Sequence, residues 1–523
     1  MMRSENSIKN ISYSILTQVI MTLLSFISRK IFINSLGMDY LGINGIMTNV
    51  ISILGLVESG IGSSIVFSLY KPLAEKDERT IISLVQLYKR IYKYIALVVF
   101  VISLGIYPFL PMIVKNTDIS FLNITIVYFL FVLQNVVSYL YAYKWALINA
   151  DQRGYILTKM NLLFQIVTTI SKIIILKASQ SYILYIVIGF LIMLIQVYIN
   201  GNKVNKLYPY MSNREKVKLE KNIERNIIEN VKALFFHNIG NQCIYGTDNM
   251  IIGTLINVST VGIYSNYSMI IGQLFSLIRP IISGISSSVG NLIAVESKEK
   301  VYFIFKTTYF VAFWIYSFAI IFLFNLINPF MDWWLGEGFL LNKLTLAIIL
   351  FNWYIDGLRA CVIIYKTRGG AIKQDKYVPI IQGVVNLVAS ILLAKYIGLL
   401  GVVLGSTISF MIIPIWNEPR ILYKEVFRKS VRQYFRLLII YIIIMLLSGG
   451  ITTMVCNTLF TGYSFLSLIG RGIICILIPN LIYLIIFFRT DEFKYLIDMF
   501  KSIILKKFLL KIDDTKEIKN ECE

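Results

Sequence analysis

The sequence is poor in the side chains that bind metal ions or act in acid–base catalysis. It contains one histidine and five cysteines in 523 residues. The cysteines form no CxxC pair and no cluster with the histidine, so their spacing supports neither a zinc site nor a disulfide framework. We therefore expect no metal and no cofactor. The cysteines are Cys243, Cys361, Cys456, Cys475 and Cys522.

Charged residues are scarce as well. They form 15% of the chain, whereas hydrophobic residues form 57%, and the mean hydropathy is +0.71. A water-soluble protein carries about a quarter charged residues, so this composition predicts an integral membrane protein. The first apolar run is too long for a secretory signal and is followed at once by a second one, so we expect no cleaved leader.

What the sequence does contain is a series of long apolar runs. A membrane-spanning helix needs about 20 mostly apolar residues, and we count fourteen such runs. They predict an all-α integral membrane protein with about 14 transmembrane helices and both termini on one side. The predicted spans are 11–34, 40–69, 91–113, 120–147, 156–177, 181–200, 231–256, 261–292, 303–328, 339–365, 377–397, 399–418, 434–456 and 464–488.

The positions of the basic residues predict the orientation. The chain has 50 basic and 29 acidic residues, a net charge of +21. The basic residues concentrate in alternate loops, which is the positive-inside pattern of cytoplasmic loops. Topology therefore accounts for the net charge, no nucleic-acid partner is needed, and both termini are expected in the cytoplasm. The longest inner loop, 201–230, is expected to be a solvated helix that also contacts anionic membrane lipid.

Short motifs indicate an internal repeat. YLGI at 40–43 opens the second predicted span and TVGI at 260–263 opens the eighth, while GIGSS at 60–64 matches GISSS at 284–288. Six spans per half give both halves the same orientation, which favours a parallel repeat about an axis along the membrane normal. The predicted parts are an N-terminal six-helix bundle (1–200), a cytoplasmic linker (201–230), a C-terminal six-helix bundle (231–420), two additional transmembrane helices (421–488) and a basic cytoplasmic tail (489–523).

Several motifs together resemble one transporter family. With the six-plus-six-plus-two layout, the chain is similar over nearly its whole length to the polysaccharide-type flippases of the multidrug/oligosaccharidyl-lipid/polysaccharide exporter superfamily, which include O-antigen and capsule repeat-unit flippases. The residues that carry the resemblance are Asn10 to Arg29, the turn Leu36-Gly37 with Tyr40 to Gly42, Glu58 to Gly62, Tyr245 to Asp248 through Val261 to Tyr264, and Leu399 to Gly405.

That resemblance implies both a function and a shape. The family moves undecaprenyl-pyrophosphate-linked oligosaccharide repeat units across the bacterial cytoplasmic membrane for assembly of O-antigen, capsule or exopolysaccharide. It implies a V-shaped bundle that opens alternately to each side. The expected partners are a polyprenyl-pyrophosphate-linked glycan, membrane lipid, and H⁺ or Na⁺ as a coupling ion, and no enzymatic activity is expected.

Charges inside the spans are the candidate site residues, because lipid disfavours each of them by about 3 kcal/mol. Arg29 is expected either in a cavity, where its planar donor fork suits phosphate, or snorkelling outward, and Lys30 is expected at the interface. Glu58 and Arg279 lie at similar depths in the second and eighth spans. We expect them to face one another, as a gate, as proton-linked and phosphate-binding groups, or as a structural pair. Pro280 predicts a kinked or broken helix.

The remaining candidates concern ion coupling and headgroup contact. Asp248, Asp356 and His237 are the ion-coupling candidates, and His237 is otherwise an interface residue. Asp356 and Arg359 are three residues apart on one helix face, so they neutralise one another unless Arg359 reaches a phosphate. Lys144 either admits a headgroup or snorkels.

The balance of these charges bears on the substrate. Three acids stand against four bases in the spans, which favours an anionic substrate. Lys172 and Arg471, near outer span ends, are expected to snorkel. The alternatives are a drug/cation antiporter of the same superfamily, a membrane polysaccharide polymerase or glycosyltransferase, and a cell-wall precursor flippase.

Overall fold

The computed structural model describes residues 2–114, 117–212, 246–371, 373–375, 377–460 and 464–499, with a few single positions outside these ranges. Across this described part the regular structure is helical and contains no strand, so the predicted all-α class is confirmed. The helices are α1 (Met2–Leu36), α2 (Met38–Leu54), α3 (Ile61–Glu75), α4 (Glu78–Ile106), α5 (Leu110–Ile113), α6 (Phe121–Ala150), α7 (Gly154–Ser179), α8 (Tyr182–Leu207), α9 (Asp248–Leu255), α10 (Val258–Ser283), α11 (Ser286–Val295), α12 (Lys298–Leu335), α13 (Lys343–Arg368), α14 (Val378–Ile397), α15 (Leu399–Ile412), α16 (Pro414–Ile421), α17 (Arg432–Leu459) and α18 (Phe465–Phe487).

The protein is a multi-pass membrane protein. Thirteen helical segments within the described ranges are long and apolar enough to cross a bilayer. They correspond to thirteen of the fourteen predicted spans. The other predicted span, 231–256, lies mostly outside the described residues, and only its last part, α9, has a described helix.

Four predicted spans are divided: 91–113 and 399–418 end in the short helices α5 and α16, and the second and eighth spans each consist of two helices. In the second span, α2 ends at Leu54, a 3-10 turn covers Gly55–Glu58, and α3 begins after Gly60, whose φ of 85° lies in the left-handed region open to glycine. In the eighth span, α10 ends three residues after Pro280, and α11 follows. The prediction that the second span is one continuous helix was therefore wrong, because composition stays apolar across its break. The break expected near Pro280 is confirmed.

Two glycines hold α2 and α10 in close contact. A Cβ on Gly42 would overlap the carbonyl oxygen of Val258, and a Cβ on Gly262 would lie 2.6 Å from the carbonyl oxygen of Met38. Met38 and Gly42 lie at the same spacing in α2 as Val258 and Gly262 do in α10. Each helix therefore presents the same two positions to the other. A contact around a two-fold axis produces this reciprocity, and it agrees with the YLGI and TVGI match. The six-plus-six boundaries remain a prediction.

The chain forms two compact units. The first comprises the residues up to Met269 together with Tyr377–Ser409. Within it, α1 packs on α7, α8 packs on α6 and α7, and α9 packs on α2 and α14. The second unit comprises Ile270–Lys376 and the chain from Phe410 onward.

The core of the second unit is built around α12. The ring of Phe313 lies 4.3 Å from that of Tyr441 on α17 and 5.2 Å from that of Tyr483 on α18, measured between centroids. Trp314 Nε1 also donates a hydrogen bond of 2.7 Å to Asn480 Oδ1 on α18. The two C-terminal helices therefore belong to this unit's core.

The close approach at Gly262 generates a stability prediction. Gly262→Ala should lower the thermal unfolding midpoint in detergent, because the new methyl group meets backbone and overpacking costs about 1–3 kcal/mol. Gly272→Ala, in the same helix but with open space around the position, is the control and should not lower it. Equal midpoints for the two variants would contradict the close contact.

Candidate functional site

Arg29 lies at membrane depth without a carboxylate partner among the described residues. Its side chain is half-buried, and Nη2 lies 3.5 Å from the sulfur of Met269 on α10. Met269 is about 16 Å along α10 from Val258, at 1.5 Å per residue, so it is near the middle of this 26-residue helix. The guanidinium therefore contacts α10 from a point about 10 Å along α1 from its end at Leu36, and both predicted positions of Arg29 remain open. Lys30 is exposed, as expected of an interface residue.

Lys172 is a second cation in the first unit for which the described residues supply no carboxylate. It lies on α7, and its Nζ is 4.3 Å from the centroid of the Tyr185 ring on α8. The same ring meets Phe32 of α1 edge-on, with 5.2 Å between centroids. Arg29 and Phe32 are three residues apart, hence on one face of α1. Arg29 and Lys172 thus flank one aromatic cluster at the α1, α7 and α8 contact, which the sequence pattern did not indicate.

Lys144 takes neither of its two expected positions. Its side chain is 8% exposed, and Nζ donates a weak hydrogen bond of 3.4 Å to the carbonyl oxygen of Gly201 on α8. The rings of Tyr141 and Tyr143 lie 5.5 and 6.0 Å from Nζ. Lys144 therefore packs α6 against α8, and the prediction that it snorkels or admits a headgroup does not match this geometry.

Glu58 lies at the break between α2 and α3. Tyr92 of α4 donates a hydrogen bond of 2.7 Å to Glu58 Oε1. The Tyr92 ring in turn stacks on Tyr88 and Tyr139, with centroids 5.9 and 6.3 Å apart. Glu58 is thus held by a ladder of tyrosines at the point where the span is interrupted. Its predicted opposition to Arg279 remains a prediction.

In the second unit, four charges alternate in sign. Arg279 Nη2 lies 3.3 Å from Asp356 Oδ2, and Asp356 Oδ1 lies 3.6 Å from Arg359 Nη1. Arg359 in turn donates two hydrogen bonds, of 3.0 and 2.9 Å, to the two oxygens of Glu418 on α16. The side chain of Arg279 is 56% exposed and that of Arg359 only 9%. The row therefore runs from an exposed cation to a buried ion pair.

This row confirms the predicted pair of Asp356 and Arg359 and corrects the role expected of Arg359. Asp356 and Arg359 are close, as their spacing predicted, but the donors of Arg359 face two carboxylates. Arg359 is therefore not proposed to contact a phosphate. Glu418 was missed because it follows Arg359 by many residues and lies at the end of a predicted span. Counting it brings the span charges to four acids and four bases, which removes the compositional bias towards an anion.

Asp248 opens α9 in the first unit. Tyr264 donates a hydrogen bond of 3.1 Å to Asp248 Oδ2. Asp248 Oδ1 and the neighbouring Asn249 Oδ1 are buried and accept no hydrogen bond from the described residues. A buried carboxylate oxygen without a donor among the described residues favours a proton or a cation there.

His237 and Arg471 are the two other residues for which a position or role was predicted. His237 lies outside the described residues, so its predicted relay role stays a prediction. Arg471 does not snorkel: it is 6% exposed and donates to Asn457 Oδ1 and to the carbonyl oxygen of Phe460 at the end of α17. A buried guanidinium that bonds a helix end stabilises packing.

Comparison with solved structures identifies the fold. One similar structure is the lipid II flippase MurJ in an inward closed conformation, with a TM-score of 0.64, 14% identity, and coverage of 91% of this chain and 99% of MurJ. An inward-facing multidrug resistance MATE family transporter of the MOP superfamily has a TM-score of 0.57 at 14% identity, over 76% of this chain and 94% of the transporter. A single mutant of the Vibrio cholerae MATE transporter VcmN has a TM-score of 0.55 at 11% identity, over 82% of this chain and 99% of that one.

These likenesses show that the chain shares the fold of MurJ and of MATE transporters. At 11–14% identity they show the fold alone. No protein-family profile matches the chain, and no curated protein matches it.

The buried pair in the second unit generates a stability prediction. Arg359→Leu should destabilise the protein by about 3–5 kcal/mol, because it leaves the Glu418 carboxylate buried without its partner. The double variant Arg359→Leu/Glu418→Leu removes both charges and should recover most of the loss. Thermal unfolding in detergent measures both. A double variant as unstable as the single one would show that the pair does not act as a unit.

Proposed function

We propose that this protein is a flippase that carries a lipid-linked oligosaccharide, bound through a polyprenyl pyrophosphate, across the bacterial cytoplasmic membrane for surface polysaccharide assembly. It would work by alternating access, with both termini in the cytoplasm. The observation that carries the proposal is Arg29, a guanidinium within a membrane-spanning helix that the described residues leave without a carboxylate. The shared fold with a lipid flippase and with exporters supports the same class of activity.

The negative charge of the substrate requires compensation inside the membrane. A pyrophosphate brings negative charge into a medium that disfavours it. A guanidinium offers paired donors that match phosphate oxygens, and the low dielectric strengthens that attraction. In the second unit, Arg279 is more than half exposed and paired with Asp356, and it is that unit's candidate for contact with an anion. Lys172 adds positive potential beside Arg29.

The helix breaks supply the places where the spans can bend. Both halves of the sequence break at matched Gly/Ser motifs, one beside Glu58 and one just after Pro280. Interrupted spans in transporters are tolerated where backbone groups line a cavity or are bonded by side chains. In the proposed cycle these breaks are the hinges.

Asp248 is the proposed coupling residue. Its carboxylate oxygen that has no partner in the described part of the chain accepts a proton or ligates Na⁺, and occupancy would then be linked to the opening of the protein. The Tyr264 hydroxyl holds the other carboxylate oxygen in place.

The role of Arg29 can be measured directly. Arg29→Gln should slow translocation of a fluorescent polyprenyl-pyrophosphate disaccharide in proteoliposomes at least tenfold, because a charge-assisted hydrogen bond contributes about 1.5–3 kcal/mol. Lys30→Gln, the exposed neighbour on the same helix, is the matched control and should transport like the wild type. Unimpaired transport by Arg29→Gln would overturn the cationic site.

Ion coupling has its own test. Asp248→Asn should abolish any dependence of translocation on an imposed H⁺ or Na⁺ gradient, because a neutral amide neither takes up the proton nor offers a charged ligand. Tyr264→Phe keeps the carboxylate and should keep the dependence. An Asp248→Asn variant that still responds to the gradient would remove this residue from the coupling mechanism.

A drug/cation antiporter is the second candidate. Glu418 favours it, because counting this acid makes the numbers of acids and bases in the spans equal. Composition then no longer favours an anionic substrate. Uptake of a lipophilic cation by everted vesicles, compared with that of the pyrophosphate lipid, separates the two candidates.

A further inference from the structure

The first unit contains a cavity that the proposed phosphate contacts do not use. It has a volume of about 550 Å³ and lies between α6, α7 and α8. This volume falls within the range of about 300–1,000 Å³ typical of small-molecule sites. The cavity reaches from the turn between α6 and α7 to Asn161 and Asn200, each about 10 Å along its helix from the same membrane face. That face is the cytoplasmic one in the predicted orientation.

The lining of this cavity is dominated by amides. Gln196 Nε2 and Asn200 Nδ2 both donate to Asn161 Oδ1, at 2.8 and 3.1 Å. Asn200 is only 3% exposed, and its Oδ1 has no hydrogen-bond partner among the described residues. Asn149, Thr158 and the indole of Trp145 also line the space. Three amides therefore share two hydrogen bonds and retain unused donors and acceptors.

Helix packing alone does not account for this arrangement. Amide hydrogen bonds between membrane helices stabilise their association, and the Asn161 bonds do join α7 to α8. A packing role needs the amides to meet across a closed interface, whereas Asn161 and Gln196 also line an open volume.

The chemistry of the lining selects the ligand class. Among the described residues that line the cavity there is no charged side chain, so neither a phosphate nor a metal cation finds an opposite charge there. Amides both donate and accept hydrogen bonds, as hydroxyl groups do. The indole supplies a flat apolar face with an N–H at its edge. An uncharged, polyhydroxylated group matches all three properties.

We propose that this cavity is a sugar subsite, which binds one uncharged sugar unit of the lipid-linked glycan from the cytoplasmic side. The inference rests on the proposed function and adds a second contact to it. The sugar occupies this cavity before the pyrophosphate reaches Arg29, because the Tyr185 ring beside Arg29 lies about 22 Å along α8 from Asn200. The amide cluster of Asn161, Gln196 and Asn200 discriminates glycosylated from unglycosylated lipid.

Two lipids that differ by one sugar test this. The full chain, in phosphatidylethanolamine/phosphatidylglycerol nanodiscs, is titrated with a short-chain polyprenyl pyrophosphate and with the same lipid carrying one N-acetylglucosamine. The wild type should bind the glycosylated lipid about tenfold more tightly, the difference expected for one satisfied buried amide. Asn161→Leu and Gln196→Met should bind both lipids equally, with affinity for the sugar-free lipid unchanged.

Two controls locate the effect. Asn480→Leu removes an interhelical amide bond of the second unit and should keep the preference for the sugar. The chain has five tryptophans besides Trp145, so the Trp145 emission is obtained as the difference between the wild type and Trp145→Phe. The glycosylated lipid should change the emission of the wild type, and Trp145→Phe should abolish that change. If Asn161→Leu fails to fold, Gln196→Met and the change in Trp145 emission test the same cavity.

The outcomes separate this inference from the function on which it rests. If the wild type binds both lipids equally, or if the amide variants keep the preference, the sugar subsite is wrong and the flippase proposal stands. If the wild type binds neither lipid, the proposed function itself fails.

Discussion

The structure depends on how ionised groups are compensated inside a hydrocarbon layer. An uncompensated charge at that depth is disfavoured by about 3 kcal/mol or more, so every buried cation requires a carboxylate, a polar cavity or a ligand. The second unit uses carboxylates: Arg359 is held by Glu418 and Asp356. The first unit leaves Arg29 and Lys172 without such partners among the described residues, and Lys172 lies against the ring of Tyr185. Arg29 is therefore the cation that we propose contacts the substrate.

The two helix breaks and the glycine contacts give the fold its geometry. Gly42 and Gly262 allow α2 and α10 to touch at backbone distance, and the matched Gly/Ser motifs interrupt the same two spans further along. The break in the second span places Glu58 in a turn beside Tyr92 rather than in a continuous helix. The break in the helix thus places a polar group at a defined point along the span.

Much of this fold follows from composition, because backbone groups in lipid must be bonded within helices and each span needs a minimum apolar length. The near ion pair of Asp356 with Arg359 follows from helical spacing. Contacts between helices do not follow: Glu418 approaches Arg359, and Asn200 approaches Asn161, only after the chain has folded. The break at Gly60 was missed because hydropathy does not register a change of backbone conformation, whereas Pro280 indicated the break near Ser283. Snorkelling was expected for Arg471 from its place near a span end, yet a helix terminus binds it instead.

The central claim is that Arg29 binds the anionic part of the substrate at membrane depth. The most direct measurement is a cryo-EM structure of the full chain with polyprenyl pyrophosphate bound in nanodiscs. The account predicts density for a phosphate within hydrogen-bond distance of the Arg29 guanidinium. Acyl chains packed around Arg29, with the pyrophosphate bound elsewhere, would contradict it.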